Sequence, residues 1–282
     1  VKRSTAKVLK PFTSETFMAD LLVKPIGSKG QTVHVTPQSA GWSHVGFDLY
    51  QLEPGEMAQA NTNGREVCLV LVSGKARIII EDVDFNILGE RMSPFDGKPD
   101  SVYVPADHDW MVTATTPVTL AVCSAPSTGG NLPPRHIRPD KVTQETRGTG
   151  TNTRYVTNIL PETAAADSLL VVEVITPGGH TSSYPPHKHD TDNLPAESQL
   201  EETYYHRLNP PQGFAFQRVY TDDRSLDETM LVEDGVVTLV PRGYHPCATI
   251  HGYDLYYLNV MAGPKRTWKF HNDPEHEWLL KR

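Results

Sequence analysis

The chain has little cysteine: Cys68, Cys123 and Cys247 are the only three in 282 residues. They are odd in number and far apart, which excludes a disulfide framework and predicts buried thiols in a reducing compartment. Basic runs are absent, and a formal charge of -8 repels a polyanion, so no nucleic-acid partner is expected. No apolar stretch approaches the roughly 18 residues that a membrane helix needs, and Val1-Lys2-Arg3-Ser4 leads into no apolar leader. A cytoplasmic protein acting on small molecules is the expectation. Helical periodicity is scarce as well. With 23 prolines and 20 glycines, only Thr163 to Leu169 and Thr13 to Leu22 look mildly helical.

What is present has a period of two. Phe47-Asp48-Leu49-Tyr50-Gln51-Leu52 alternates apolar and polar residues. Short apolar or β-branched runs follow at 67–72, 76–80, 102–104, 118–123, 169–175, 213–220, 236–240 and 256–261. Pro-Gly, Ser-Gly, Asp-Gly and Arg-Gly pairs punctuate them with turn chemistry. The predicted class is all-β, built from barrels or sandwiches of short antiparallel strands.

A faint repeat divides the chain. Leu49 to Gly55 is like Val172 to Gly178, Arg65 to Cys68 is like Glu201 to Tyr204, and Val104 to His108 is like Val240 to His245. Two units are predicted, at 1–128 and 152–282, the second with a carboxyl-terminal tail after about residue 264. A connector at 129–151 joins them. Of any ligand set the first unit keeps only Glu66 and His108, too few to hold a transition metal, so it is read as structural.

The second unit carries the chemistry. His187 and His189 are two apart, so on a strand they share a face. Glu202 lies in a β-prone Glu-Thr-Tyr-Tyr run, and His245 follows the turn Pro241-Arg242-Gly243-Tyr244. Three imidazoles and one carboxylate suit one divalent transition metal with positions left open. Zinc is the first expectation; manganese and iron satisfy the same ligands. The alternating series Phe214, Phe216, Arg218, Tyr220 puts Arg218 on one face of one strand with those aromatics.

His187-x-His189 with Glu202, and Pro241-x-Gly243-x-His245, resemble the two cupin motifs, with a wider gap before the glutamate that leaves Glu201 as a substitute ligand. Several longer runs resemble the bacterial 5-deoxy-glucuronate isomerases of myo-inositol catabolism. These are Ser182 to Asp190, Glu201 to Tyr205, Gly213 to Tyr220, Pro241 to Pro246 and Leu255 to Gly263. That family is a bicupin related to 5-keto-4-deoxyuronate isomerase. The resemblance implies two tandem jelly-roll barrels with few short helices, and an aldose–ketose isomerisation of 5-deoxy-D-glucuronate to 2-deoxy-5-keto-D-gluconate. His206 stands where the family is expected to have an aromatic, and it receives no catalytic role. Such a reaction needs a proton carrier, for which Glu201, Tyr204, Tyr257 and a hydroxide on the ion stay open, and the carboxylate of the implied substrate needs a clamp, for which Arg218 is expected. The alternative reading of the ligands is an Fe(II) dioxygenase; a sugar-binding bicupin without activity is a third. A symmetric homo-oligomer is expected on general grounds.

Overall fold

The computed structural model describes residues 20–281. Two large antiparallel sheets form its centre. The first runs, in spatial order, Arg135–Ile137, Ser101–Val104, Arg65–Ser73, Val118–Pro126, Gly46–Leu52, Gly30–Val35. The second runs Leu22–Val23, Val237–Val240, Glu201–Asn209, Asp254–Ala262, Leu170–Thr176, Arg154–Leu160, Thr143–Arg147. Each large sheet closes a barrel with a four-stranded partner. In the first unit that partner is Met57–Asn61, Asp109–Ala114, Ala76–Ile80, Val83–Leu88. In the second it is Thr181–Ser182, Cys247–Thr249, Ala215–Tyr220, Asp227–Val232.

The central strands of the first unit are largely apolar because both of their faces are covered. Along Arg65–Ser73, Val67, Leu69 and Leu71 point into the first barrel, whose interior is a solid apolar core with Ile78, Trp110 and Leu120. Cys68, Val70 and Val72 face the other way, into a core shared with Tyr205, Leu239 and Val260 of the second unit. The two large sheets therefore pack back to back. The interior of the second barrel is different, since Glu202, Tyr204, His206, Gln217, Thr238 and Asn259 are all buried.

Two carboxylates fasten the units reciprocally. Glu201 accepts hydrogen bonds from the backbone N–H groups of Ser43, His44 and Val45 at 2.8, 2.7 and 3.0 Å. Glu66 accepts from the N–H groups of Asp167, Ser168 and Leu169 at 2.7, 2.6 and 2.5 Å, and from the Tyr103 hydroxyl at 2.7 Å. Each loop leads into the corresponding strand of its own sheet, Gly46–Leu52 or Leu170–Thr176. A buried ion pair, Arg91 with Glu173 at 2.8 Å, is a third link.

Four expectations need correction. Thr163 to Leu169 is turn and coil, because the N–H groups of residues 167–169 go to Glu66 instead of to a helical carbonyl. The sequence parallel of Glu66 with Glu202 is off by one: Glu66 pairs across the sheet with Ala125 as Glu201 does with Ala262, so Val67 occupies the place of Glu202. A one-residue slip moves a side chain to the opposite face. The unit boundaries also interlock. Leu22–Val23 pairs with Val237 and Thr238 of the second unit, while connector residues Arg135–Ile137 pair with the first unit and Thr143–Arg147 with the second. Of the mildly helical Thr13 to Leu22, residues 13–19 lie outside the described part, and Leu22 begins a strand.

Candidate metal centre and its cleft

Glu202 is placed by the strand Glu201–Asn209, held between Val237–Val240 and Asp254–Ala262, which aims alternate side chains into the second barrel. His245 hangs from the turn after Val237–Val240. Gly243 has φ +95° there, and a Cβ on it would meet the Tyr220 carbonyl oxygen at 2.6 Å, so the turn requires glycine. Its N–H donates to Asp190 Oδ1 at 2.7 Å, tying the turn to the histidine segment. His187 and His189 come from residues 183–200, an insertion before Glu201–Asn209. The first unit has only Thr62-Asn63-Gly64 at that point. The wide gap before Glu202 is filled by a small hairpin, Asp190–Asn193 with Glu197–Gln199.

His189, Glu202 and His245 converge, with their ligand atoms all within 4.8 Å of one another and fully buried. His189 Nε2 lies 2.6 Å from Glu202 Oε1, and His245 Nε2 lies 3.5 Å from Oε2. The opposite ring nitrogens are 2.9 Å from the Leu200 carbonyl and 2.8 Å from the Gly243 carbonyl. A carbonyl only accepts, so Nδ1 of each ring carries a proton and Nε2 is the atom turned to the carboxylate. A buried carboxylate facing two imidazole nitrogens demands positive charge, met by a proton on His189 or by a cation among the three groups, and this donor set fits a divalent ion. The electrostatics show the same demand for positive charge. Burial disfavours a charged His189, yet Glu202 outweighs it and pushes the ring up to about 9. Burial acts against the Glu202 carboxylate too, but His189 and His245 hold it well below the ordinary range.

His187 lies beside this trio without joining its closest set. Its ring centroid is 4.8 Å from that of His245 and 6.4 Å from that of His189, and Phe270 covers its other side at 4.6 Å. Burial, then the two neighbouring imidazoles, keep it well below its usual pKa. His187 opens onto a cleft shared with Tyr204, Tyr257, Asn259, Trp268, Arg147 and Arg154. The Tyr204 and Tyr257 rings are 4.9 Å apart, and their hydroxyls reach Ser183 at 3.3 Å and Ser182 at 2.7 Å. Burial raises both phenols, so they remain proton donors. Asn259 Nδ2 donates to Glu202 Oε2 at 3.2 Å and steadies the carboxylate.

The remaining expected residues fall elsewhere. Glu201 is on the opposite face of its strand from Glu202, occupied by three backbone N–H groups of the first unit, so it is neither a ligand in this geometry nor a base facing the cleft. Arg218 does share a face with Phe216, as alternation requires, but that face is the outer one. Its guanidinium grips Asp227 with two hydrogen bonds of 2.7 Å and stacks over Tyr220. Glu66 and His108 form no first-unit counterpart: Glu66 is in the interface, and the His108 ring bonds the Ala106 carbonyl. His206 lies inside the barrel, stacked on Tyr204 and bonded to Gln217 and Thr238, and burial pushes it down to about 3. Sequence reasoning missed Arg147, Arg154 and Asn259. The available signal was an arginine at each end of the turn-rich run Gly148 to Thr153.

The sequence model of the KduI/IolB family matches residues 21–279. The chain belongs to the KduI/IolB family. Curated relatives include the 5-deoxy-glucuronate isomerase of Geobacillus kaustophilus, 57% identical over 254 residues, or 90% of this chain and 92% of that one. The 5-deoxy-glucuronate isomerase of Bacillus licheniformis is 51% identical over 272 residues, or 94% of this chain and 100% of that one. Membership of KduI/IolB with such relatives makes the protein an isomerase. A crystal structure of an IolB-like protein from Salmonella typhimurium superposes with a TM-score of 0.91 at 55% identity, covering 93% of this chain and 100% of that one. Bacillus subtilis oxalate decarboxylase superposes with a TM-score of 0.61 at 15% identity, covering 96% and 88%. That second likeness concerns the fold, which is all-β and bicupin. No helix of the described residues is long and apolar enough to cross a membrane.

Proposed function

We propose that this KduI/IolB member interconverts 5-deoxy-D-glucuronate and 2-deoxy-5-keto-D-gluconate in the cytoplasm, using one divalent metal per chain. His189, Glu202 and His245 would hold the ion, with His187 as the fourth ligand; zinc is the first choice, manganese or iron the others. The observation that carries the reading is the buried His189–Glu202–His245 trio beside His187, which opens onto a cleft lined by two phenols and two guanidiniums. The substrate named for the relatives supplies the rest.

The reaction moves a proton from the carbon beside an aldehyde to the aldehyde carbon, through an enediolate whose charge lies on oxygen. When bound, a divalent ion stabilises such an oxyanion by several kcal/mol. The chain contributes fixed donors. Tyr204 and Tyr257 line the cleft and keep their hydroxyl protons, and a phenol that donates to the developing oxyanion is worth roughly 10²–10³ in kcat. Ser182 and Ser183 orient those hydroxyls. Val172 and Val174 form the apolar wall that limits water at the reacting carbons.

The test is incubation of the purified protein with 5-deoxy-D-glucuronate in D₂O without oxygen, followed by NMR. The 5-keto acid is expected, with deuterium entering the new hydroxymethyl group. An inert substrate, or turnover only after oxygen is admitted, would reject the isomerisation and favour the dioxygenase reading of the same ligands.

A further inference from the structure

We infer that Arg147 and Arg154 form the site that takes the carboxylate end of the substrate, leaving the aldehyde end at the histidines. The inference rests on the reaction proposed above and specifies which residues read its acid group.

Arg147 and Arg154 are direct cross-strand partners in the pairing of Thr143–Arg147 with Arg154–Leu160. Like charges set opposite each other on a sheet repel, so the arrangement costs stability unless an anion joins them. Both line the cleft that also contains His187, Tyr204 and Tyr257. No acidic side chain lines it.

Arg154 is the more informative of the two. Among the described residues it has no carboxylate partner, and its one hydrogen bond runs from Nη1 to the Asn152 carbonyl at 3.0 Å. A guanidinium carries five N–H donors, so most of the fork is unused. Two other guanidiniums shielded from solvent are satisfied. Arg91 is bidentate on Glu173, and Arg266 is caged by backbone carbonyls that include Leu169, Ala164 and Pro161. Burial, the main cause, with Arg147 adding to it, pulls Arg154 below the usual guanidinium range, which is the mark of a cation short of counter-charge.

Arg147 is the more engaged of the pair: its Nε and Nη2 both donate to the exposed Glu145, at 3.1 and 2.6 Å, and it lies over the Trp268 ring, 4.9 Å from its centroid. Trp268 Nε1 is buried without an acceptor and adds one more donor at this end of the cleft. The open fork of Arg154, the neighbouring positive charge of Arg147 and an indole N–H match the planar, bidentate demand of a carboxylate. Arg218, saturated by Asp227 on the outer surface, offers none of this.

The test compares binding of D-gluconate, a six-carbon polyhydroxy acid, with D-glucitol, its uncharged counterpart, by calorimetry on the metal-loaded protein. Wild type is expected to prefer gluconate by at least roughly tenfold, and Arg154→Gln to bring the two within about twofold. Arg154→Lys keeps the charge without the fork and should fall between them. Any affinity of the ion for carboxylate is common to all variants of equal metal content, so the difference among them reads the arginine. If Arg154→Gln fails to fold, Arg147→Gln decides, with an expected several-fold loss of preference. A wild type without preference, or an Arg variant that retains it, overturns the assignment. A protein that prefers gluconate yet leaves 5-deoxy-D-glucuronate unchanged rejects the reaction alone, because the binding comparison requires no turnover.

Discussion

Glu202→Gln is expected to yield a folded protein that has lost its metal and nearly all activity. The substitution keeps the shape of the side chain and removes the one anionic ligand from a trio in which two imidazole nitrogens converge on it. Without that charge the two imidazoles are poor holders of a divalent ion. The fold tolerates this change because the buried charge leaves together with the ion. His189→Ala is the contrasting case. It strands the Glu202 carboxylate, 1% exposed, with a weaker partner, and removing one member of a buried pair costs about 3–5 kcal/mol. Metal per chain after gel filtration should drop below about a tenth for Glu202→Gln, and kcat/KM should fall by at least roughly 10³. Thermal unfolding with and without chelator completes the comparison: the wild type should lose stability on chelation and Glu202→Gln should not respond. Stoichiometric metal in Glu202→Gln would contradict the ligand assignment.

Exchanging the two interface carboxylates for amides is expected to have the largest effect on stability. In Glu201→Gln an NH₂ group faces the backbone N–H groups of Ser43, His44 and Val45, so at least one buried donor loses its acceptor. A charge-assisted bond lost in this way costs about 3 kcal/mol. Glu66→Gln does the same to residues 167–169. The two sites share no partner, so the losses should add to about 6 kcal/mol. At roughly 2–4 °C per kcal/mol for a chain of this size, the double variant should melt well over 10 °C below the wild type. Metal content should not change, because neither carboxylate faces the histidines. Loss of metal in Glu201→Gln with an unchanged melting temperature would restore Glu201 as a ligand.

The two glutamates also show where sequence reading reaches and where it stops. Alternation separates Glu201 from Glu202 and groups Glu202 with Tyr204 and His206 on one face. It does not say which face is the barrel interior. That depends on residues 43–45, about 158 positions away, arriving to satisfy Glu201. Arg218 failed for the same reason. Its face was correctly shared with Phe216, but Phe216 and Arg218 are on the outside, where an exposed aromatic looks like a core residue in sequence. The repeat correctly paired the two units yet slipped by one at Glu66, because a glutamate in each run outweighed the register. The nearness of His189 and His245 to Glu202 was legible because the Gly243 turn and the His-x-His segment carry much of their geometry locally, whereas His187 lies beside that trio without joining it. Arg147 and Arg154 were not legible, because only the strand pairing across Gly148 to Thr153 brings them opposite each other.

The most direct test of the central claim is a titration of the chelator-treated protein with zinc, following anaerobic isomerisation of 5-deoxy-D-glucuronate. The rate should rise from near zero and level off at one equivalent per chain, with Glu202→Gln remaining flat throughout. Full activity in protein shown to be free of metal, or a plateau at two equivalents, would contradict a single ion held at His189, Glu202 and His245.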